Sequence, residues 1–493
     1  MIARVSSPNT HAPFLFYPEG GKELLARNDM FGRKKIFSEA YEITDDNVLD
    51  ELNQALIPHN FNRGQIDYLW RYYKGEQPIL ERVKSVRPEI TNRIVENRAN
   101  EIVSFKVGYL CGEPIQYVGR TSGEMVSEGI SDLNEMMVTA SKSARDKEIV
   151  EWRYICGTAF RMVLPSREMN INDSPFQIYT LDPRDTFVVY SVDVDEHPLF
   201  GVKYHYSKNY GNIYDVYSDR KFWRISGNLI LETYPHSLGC IPIFEYPENR
   251  ARLGAFEIVL PLLDSINNVD SNRMDAIEQT VQAFIKFINC DITAEDFREL
   301  KELGAIKVKS VDGAPADVDV VKNDLDQNQS QITKEDAYNA VLTICGMPNR
   351  NGGSSTSDTG AAVEMRDGWS NAEARAKDSE ISFKEAERKM LRLILRIIRD
   401  SSGLSEAAYS LKLRDITIQF TRRNYENIQS KSQVLTTMLS NDKIHPRLAF
   451  EHCGMFSDAE DAYRISEEYR TSRQQSIQPM VENQFEINQE SEL

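Results

Sequence analysis

The sequence predicts an α+β protein built from several units arranged around long helices, and three observations carry that expectation. Apolar residues recur at helical spacing over residues 60–75 and 91–107, short β-branched and aromatic runs fill 158–243, and a one-sided apolar stripe extends from about Gly360 to Asp400. Length agrees with several units: 493 residues, at roughly 100 to 200 per domain, make two to four of them with ample core.

Residues 1–45, with Pro13, Pro18, Gly20 and Gly21, read as an extended arm. In the next stretch, 46–247, Ile66, Leu69, Trp70 and Tyr73 fall at i, i+3, i+4 and i+7 of a helix that Gly75 closes. Ile94, Ala99, Ile102 and Val103 mark a second helix over Thr91 to Val107, which stops at Gly108, and Ile115 to Val118 reads as a strand. The runs Phe176 to Leu181, Thr186 to Tyr190, Val202 to Tyr206 and Ile213 to Tyr217, separated by Pro and Gly, predict an antiparallel β-rich block. Beyond Pro247, residues 248–287 turn helical, with Phe256, Val259, Leu260, Leu263 and Ile266 on one face and Pro261 kinking or starting the helix. Residues 288–330 form a compact insert: a short helix framed by Thr293 and Gly304, then the runs 306–309 and 317–320, joined by Asp312-Gly313-Ala314-Pro315 as a β-hairpin.

A helix over 331–346 leads into Gly346 to Gly360, 15 residues with four glycines, a proline and small hydroxyl side chains, which predict a loop. Met365, Trp369, Ala372, Ala376, Phe383, Ala386, Met390 and Ile397 then keep helical spacing. From Gly360 to Asp400 that helix would be about 60 Å long, enough to span several layers or cross a subunit boundary. A strand over Leu411 to Phe420 completes 361–426, helices around Ser440-Asn441-Asp442 and Gly454 occupy 427–470, and the polar 471–493 reads as disordered.

Charge and motif content exclude several classes. With 58 Lys+Arg against 75 Asp+Glu, the net charge of −17 argues against a protein that coats or grips nucleic acid, while leaving local contacts open. The best membrane candidate, Met390 to Ile398, is broken by Arg392 and Arg396, and Met1 to Ser6 shows no basic cap before an apolar run, so synthesis in a cytoplasm is expected. The six cysteines lie tens of residues apart and read as buried reduced thiols, and His445, His452 and Cys453 complete no metal spacing. No His-Glu-x-x-His, Gly-x-Ser-x-Gly or Gly-x-x-x-x-Gly-Lys-Ser/Thr motif occurs. No catalytic residue, metal site or cofactor is therefore expected. Asp317-Val318-Asp319 could be half of a two-metal carboxylate site, but no partner motif completes it, and a solvent-facing strand edge is the simpler reading.

The order of parts, together with several short motifs, resembles the portal proteins of tailed bacteriophages, in the family typified by the portal of the Bacillus phage SPP1. Leu69-Trp70-Arg71-Tyr72-Tyr73-Lys74-Gly75-Glu76-Gln77-Pro78-Ile79 resembles the family's Tyr-Tyr-x-Gly-x-x-x-Ile segment, and Gly108-Tyr109-Leu110-Cys111-Gly112-Glu113-Pro114-Ile115 its Gly-Tyr-x-x-Gly-x-Pro-Ile turn. Gly239-Cys240-Ile241-Pro242-Ile243-Phe244 with Leu262-Leu263-Asp264-Ser265-Ile266-Asn267 resembles the strand entering the first stem helix, and Thr359-Gly360-Ala361-Ala362 the Ser-Gly-x-Ala start of the long helix. The sequence departs from the family at Pro247-Glu248-Asn249, where an Asn-Asn pair is usual, and at Thr359, which replaces Ser.

The resemblance implies a portal-protein fold: a β-rich wing (46–247), a helical stem (248–287 and 331–346), a small α/β clip (288–330), a tunnel loop (347–360), a long crossing helix and a helical crown (427–470). It implies a non-enzymatic ring, normally of twelve copies, at one capsid vertex of the virion, assembled in the host cytoplasm. Double-stranded viral DNA would be packaged through it by the terminase large subunit and later ejected, while a head-completion adaptor and the major capsid and scaffolding proteins would bind outside. On that resemblance Asn349, Arg350, Asn351, Ser354, Ser355, Thr356 and Ser357 are expected to face DNA. Lys307, Lys309, Asp317 and Asp319 are expected to form a clip surface for terminase or adaptor. The net charge then predicts a tunnel lined mainly by acidic or neutral side chains. Two other classes remain: a phage-encoded metal-dependent nuclease or hydrolase, and a monomeric DNA-binding adaptor, which the acidity disfavours.

Overall fold

Helix α1 (Val48–Tyr73) begins with Asp50 and Glu51 in its first turn and ends with Arg71 in its last, each charge complementing the helix dipole. At 26 residues it is about 39 Å long, and its two halves enter different cores. Val48, Leu52 and Ala55 pack with Phe187, Val189, Phe200 and Trp223 of a β-sheet, whereas Ile66, Leu69 and Tyr72 join the main helical core. Gly75 ends this run with φ of +99°, a conformation that favours glycine. The computed structural model describes residues 32–120, 123–166, 174–281, 284–291, 309–310, 317–321, 327–349, 368–422, 428–456 and 462–473, with positions 293, 295, 298, 315 and 459.

Before α1, strand β1 (Ile36–Ser38) lies within the expected extended arm and pairs parallel to β5, Ile36 opposite Val189. Helix α2 (Arg98–Cys111) starts seven residues later than the apolar spacing predicts and runs through Gly108. Asn97 caps it by accepting from the Asn100 amide. Strand β2 (Gln116–Gly119) follows, then α3 (Glu124–Thr139) and α4 (Lys142–Cys156), which the apolar pattern does not predict. The buried side of α4 includes Lys142, Asp146 and Arg153, so no apolar stripe advertises it. Gly157, at φ +77°, closes α4 where an added Cβ would lie 2.1 Å from the Arg252 carbonyl oxygen; the turn into β3 has room only for glycine.

The β-rich block is present as predicted. Strands β3 (Thr158–Pro165), β4 (Phe176–Leu181) and β10 (Ile243–Pro247) form one sheet in the order β10-β3-β4. Strands β5 (Thr186–Ser191), β6 (Pro198–Ser207), β7 (Gly211–Tyr217), β8 (Lys221–Ser226) and β9 (Leu229–Pro235) form an antiparallel meander that β1 extends to six strands.

A 3-10 turn (Glu257–Val259) delivers the chain to α5 (Leu260–Val281), with Pro261 in its first turn, where a missing amide proton costs nothing. The helix therefore starts and ends inside the expected 248–287, and Phe284 lies in a strand. The insert contains β11 (Phe284–Ile288), β12 (Cys290–Asp291), β13 (Lys309–Ser310) and β14 (Asp317–Val321). Its pairing corrects the expected hairpin: β14 pairs with β11 and β13 with β12, so the run after α5 is the common partner of both later runs. Helix α6 (Gln327–Cys345) returns antiparallel along α5, and α7 (Trp369–Asp400) follows. The 32 residues of α7 measure about 48 Å; the rest of the expected span, 360–367, lies outside the described residues. Ala372, Ala376, Phe383, Ala386, Met390 and Ile397 are buried, as their spacing predicts, and Trp369 is half-buried. Helix α8 (Glu406–Ser410) and β15 (Ile416–Gln419), antiparallel to β2, lead to α9 (Ile428–Leu439), α10 (Pro446–Cys453) and α11 (462–473).

Candidate functional site

Helix α5 carries short polar side chains at Asp264, Asn267, Ser271 and Asp275, spacing that puts all four within one face. That face holds residues 92–97, which precede it in the chain, as an extended strap. Ser271 Oγ accepts from the Ile94 amide at 3.0 Å, Asn267 Oδ1 from Glu96 at 2.8 Å and Asp275 Oδ1 from Asn92 at 2.7 Å. Segment 92–97 was expected to be helical from its apolar spacing. The Asn92, Ile94 and Glu96 amides instead find acceptors on α5, so extension leaves these three donors paired. Burial pushes the Asp275 carboxyl up, but the Asn92 amide and the Lys84 and Arg82 cations outweigh it and hold it below the usual range.

Lys334 of α6 fastens the third layer, lying 2.8 Å from Glu96 of the strap and 2.9 Å from Asp270 of α5. Burial disfavours its charge, and the two carboxylates overcome that and raise its pKa. Tyr338 donates to Glu101 Oε1 at 2.8 Å, and the Arg98 guanidinium lies 4.0 Å from the centre of the Tyr338 ring. The paired helices thus form a stiff column about 28 Å long, the length of the 19-residue α6.

The four expected site residues that are described, Lys309, Asp317, Asp319 and Asn349, fall at opposite ends of this column. At one end Lys309 lies opposite Asp291, Asp319 lies opposite Lys286, and Asp317 is exposed opposite Ile288. Lys307 lies outside the described residues. At the other end Asn349 donates to Asn339 Oδ1 at 3.2 Å and lines a cavity of about 540 Å³ with Arg98, Phe105, Tyr338 and Met347. Arg350, Asn351, Ser354, Ser355, Thr356 and Ser357 lie outside the described residues.

Sequence patterning missed the anchor of α7. Glu387, fully buried, accepts from Tyr117 at 2.6 Å, Tyr246 at 2.7 Å and Arg161 at 3.0 Å, and lies 2.9 Å from Lys142. Asp146 completes the group, 2.6 Å from Arg161 and 2.5 Å from Lys142. Burial opposes ionisation of Glu387, but Lys142, Arg161 and the two phenols win and lower its pKa to about 2. Two cations and two anions so join α4, β3 and α7, with β2 and β10 supplying the phenols. The only local trace is Lys142 and Asp146 at i, i+4; the other partners are up to 270 residues apart.

Cys111, Cys156, Cys345 and Cys453 are buried free thiols and Cys240 is half-buried. His445 Nδ1 accepts from the Arg447 amide and caps α10. Among the described residues, Asp193, Asp195 and His197 bring ligating atoms within 4.8 Å of one another on an exposed turn. No helix in the described residues is long and apolar enough to cross a membrane.

A helical column bearing a small β insert at one end, buttressed by a long buried helix and a β-rich block, is the fold of a portal-type subunit. The sequence model described as "Phage portal protein, SPP1 Gp6-like" matches residues 54–475, and the chain belongs to that family. A search of curated proteins finds no match. Similar solved structures include the neck of an empty gene transfer agent particle computed with C6 symmetry, at TM-score 0.45 and 12% identity, covering 80% of this chain and 94% of that one. The virion of a native particle of the same kind gives TM-score 0.42 and 11% identity, with 80% and 94% covered. The native neck computed with C12 symmetry gives 0.41 and 11%, with 72% and 89% covered.

Proposed function

We propose that this portal-family chain assembles as a ring, normally of twelve copies, at one vertex of a capsid and serves as a non-enzymatic conduit for double-stranded DNA. The observation that supports the reading is the column: α5, segment 92–97 and α6 are tied together over about 28 Å, with the β11–β14 insert at one end of α6 and Asn349 at the other. In a ring of such columns the loops gather round the axis at one level and the clips at another. DNA then slides past the loops, contacted softly through Asn349, Arg350, Asn351, Ser354, Ser355, Thr356 and Ser357, while the clip residues Lys307, Lys309, Asp317 and Asp319 face the terminase large subunit and, later, the head-completion adaptor. The major capsid and scaffolding proteins bind the outside of the ring. An acidic chain suits a conduit, because each phosphate neutralised by the wall adds a counterion-release gain that slows movement.

Sedimentation and negative-stain imaging of the purified protein test the ring: about twelve copies around a pore are expected, and a stable monomer that cleaves DNA with a divalent metal would replace this reading with a nuclease. Removing residues 351–357 tests the loop. Rings are expected to assemble and package less DNA, or package more slowly; unchanged packaging length and rate would remove the loop from the DNA path.

A further inference from the structure

The C-terminal half of α7 presents an exposed surface whose charge opposes that of the whole chain. Arg388, Lys389, Arg392, Arg396 and Arg399 are all exposed, and at 3.6 residues per turn they fall within an arc of about 100° over about 16 Å of helix. Arg392, Arg396 and Arg399 line an open cavity of about 380 Å³ floored by Leu395 and Leu413. Lys412 and Arg414, both exposed, flank Leu413.

Carboxylates do not cancel this surface. Glu385 is hydrogen-bonded to Lys389, Asp400 stands 4.0 Å from Arg396, and Asp415 stands 3.7 Å from Arg414. Seven cations thus meet three anions. Among the described residues Arg388 and Arg392 have no carboxylate within 4.0 Å. On the flank towards β5 and β6 a cleft brings Asp195 and Glu196 near Lys389 and Arg392, but Glu196 is ion-paired with Lys35.

We infer that this stripe is a second contact surface for double-stranded DNA, read through its phosphates and separate from the tunnel loop. Three arguments favour that partner. Guanidinium groups, which dominate the stripe, present planar paired donors suited to phosphate oxygens. The apolar residues of this half-helix, Leu391, Leu393, Ile394, Leu395, Ile397 and Ile398, are buried within the subunit, and the half-buried Leu413 at the floor of the cavity is a small apolar contact beside seven cations, less than the anchors that carry protein–protein affinity. A duplex carries one charge per about 1.7 Å of axis, so 16 Å of stripe meets several phosphates at once. The overall −17 does not forbid the contact: at about 0.1 M salt, charges more than about 10 Å away are largely screened, whereas the stripe acts at contact.

The test uses the full-length chain and a fluorescein-labelled 30-base-pair duplex of arbitrary sequence, with binding followed by anisotropy between 50 and 200 mM salt. The variant replaces Arg388, Arg392 and Arg396 by Gln and leaves Arg399, whose guanidinium holds the Leu411 carbonyl. Wild type is expected to bind with affinity falling steeply with salt. The triple variant is expected to bind at least ten-fold more weakly at 50 mM, with the log–log salt slope smaller by about 2.7, at about 0.9 for each phosphate no longer neutralised. Its thermal midpoint should shift by only a few degrees, because Arg388 and Arg392 are exposed and Arg396, which rests on Gly239, is half exposed. Deleting residues 351–357 should leave the slope intact, which separates this surface from the conduit reading. The inference is overturned if wild type does not bind, if the slope of the triple variant matches wild type, if the loop deletion alone abolishes binding, or if a polyglutamate peptide binds the stripe as tightly as the duplex.

Discussion

Replacing Glu387 by Gln should be among the most damaging single-atom changes available in this chain. The carboxylate is fully buried and accepts from two phenols and a guanidinium while facing the Lys142 ammonium. The amide removes the negative charge, leaving Lys142 and Arg161 opposed by Asp146 alone, and turns one acceptor into a donor pointing at groups that are themselves donors. Breaking a buried charge group in this way costs about 3–5 kcal/mol. The acid equilibrium points the same way: Lys142, Arg161 and the two phenols lower the pKa from 4.5 to about 2, so the folded state favours the ionised form. Urea unfolding at pH 7, followed by tryptophan fluorescence, should therefore show a loss of about 3–4 kcal/mol. The sign in acid follows from the same shift. The unfolded chain takes up this proton first, so the stabilisation is complete above about pH 4.5 and disappears as pH falls through about 2. Replacing Arg161 and Glu387 together by Met should cost less than the sum of the two single replacements, because no lone charge is stranded. A loss below about 1 kcal/mol in the Gln variant, or strict additivity in the double variant, would refute a dry, mutually dependent cluster.

Burial lowers the pKa of His59, stacked on Phe187 at 4.3 Å, from 6.5 to about 4. Its neutral form contributes stability above about pH 6.5 that is lost as pH falls towards 4, and His59→Gln should flatten that part of a urea-midpoint-against-pH curve. Asn267→Ala strands the Glu96 amide and the Gln77 side chain, at about 1–3 kcal/mol; hydrogen exchange should accelerate most at residues 92–97, and uniform acceleration would contradict the strap. Lys307→Glu with Lys309→Glu should weaken salt-dependent docking of terminase or adaptor in a surface-plasmon measurement, and unaltered binding of both would exclude these residues from the interface.

What the sequence determined by itself is what short-range physics decides. The apolar stripe of α7, the alternating β-rich runs between 158 and 243, the turn glycines Gly75 and Gly454, and the order of stem, insert, stem and loop were all legible, because helical and strand periodicities depend on neighbours a few residues away. The four elements 92–97, α3, α4 and the insert needed the tertiary structure. Segment 92–97 carries a helical pattern but is drawn straight by acceptors on α5 some 170 to 180 residues away. Helix α4 hides its identity by burying Lys142, Asp146 and Arg153, charges that become tolerable only when Glu387, Arg161 and Glu248 arrive from distant strands and from α7. The insert's runs looked like each other's partners and instead share β11 and β12, since edge hydrogen bonds go to whichever strand the stem delivers. Of the expected site, the described residues include Lys309, Asp317, Asp319 and Asn349; the column between them, and the basic stripe on α7 within so acidic a chain, became visible only once helical faces were placed against their neighbours.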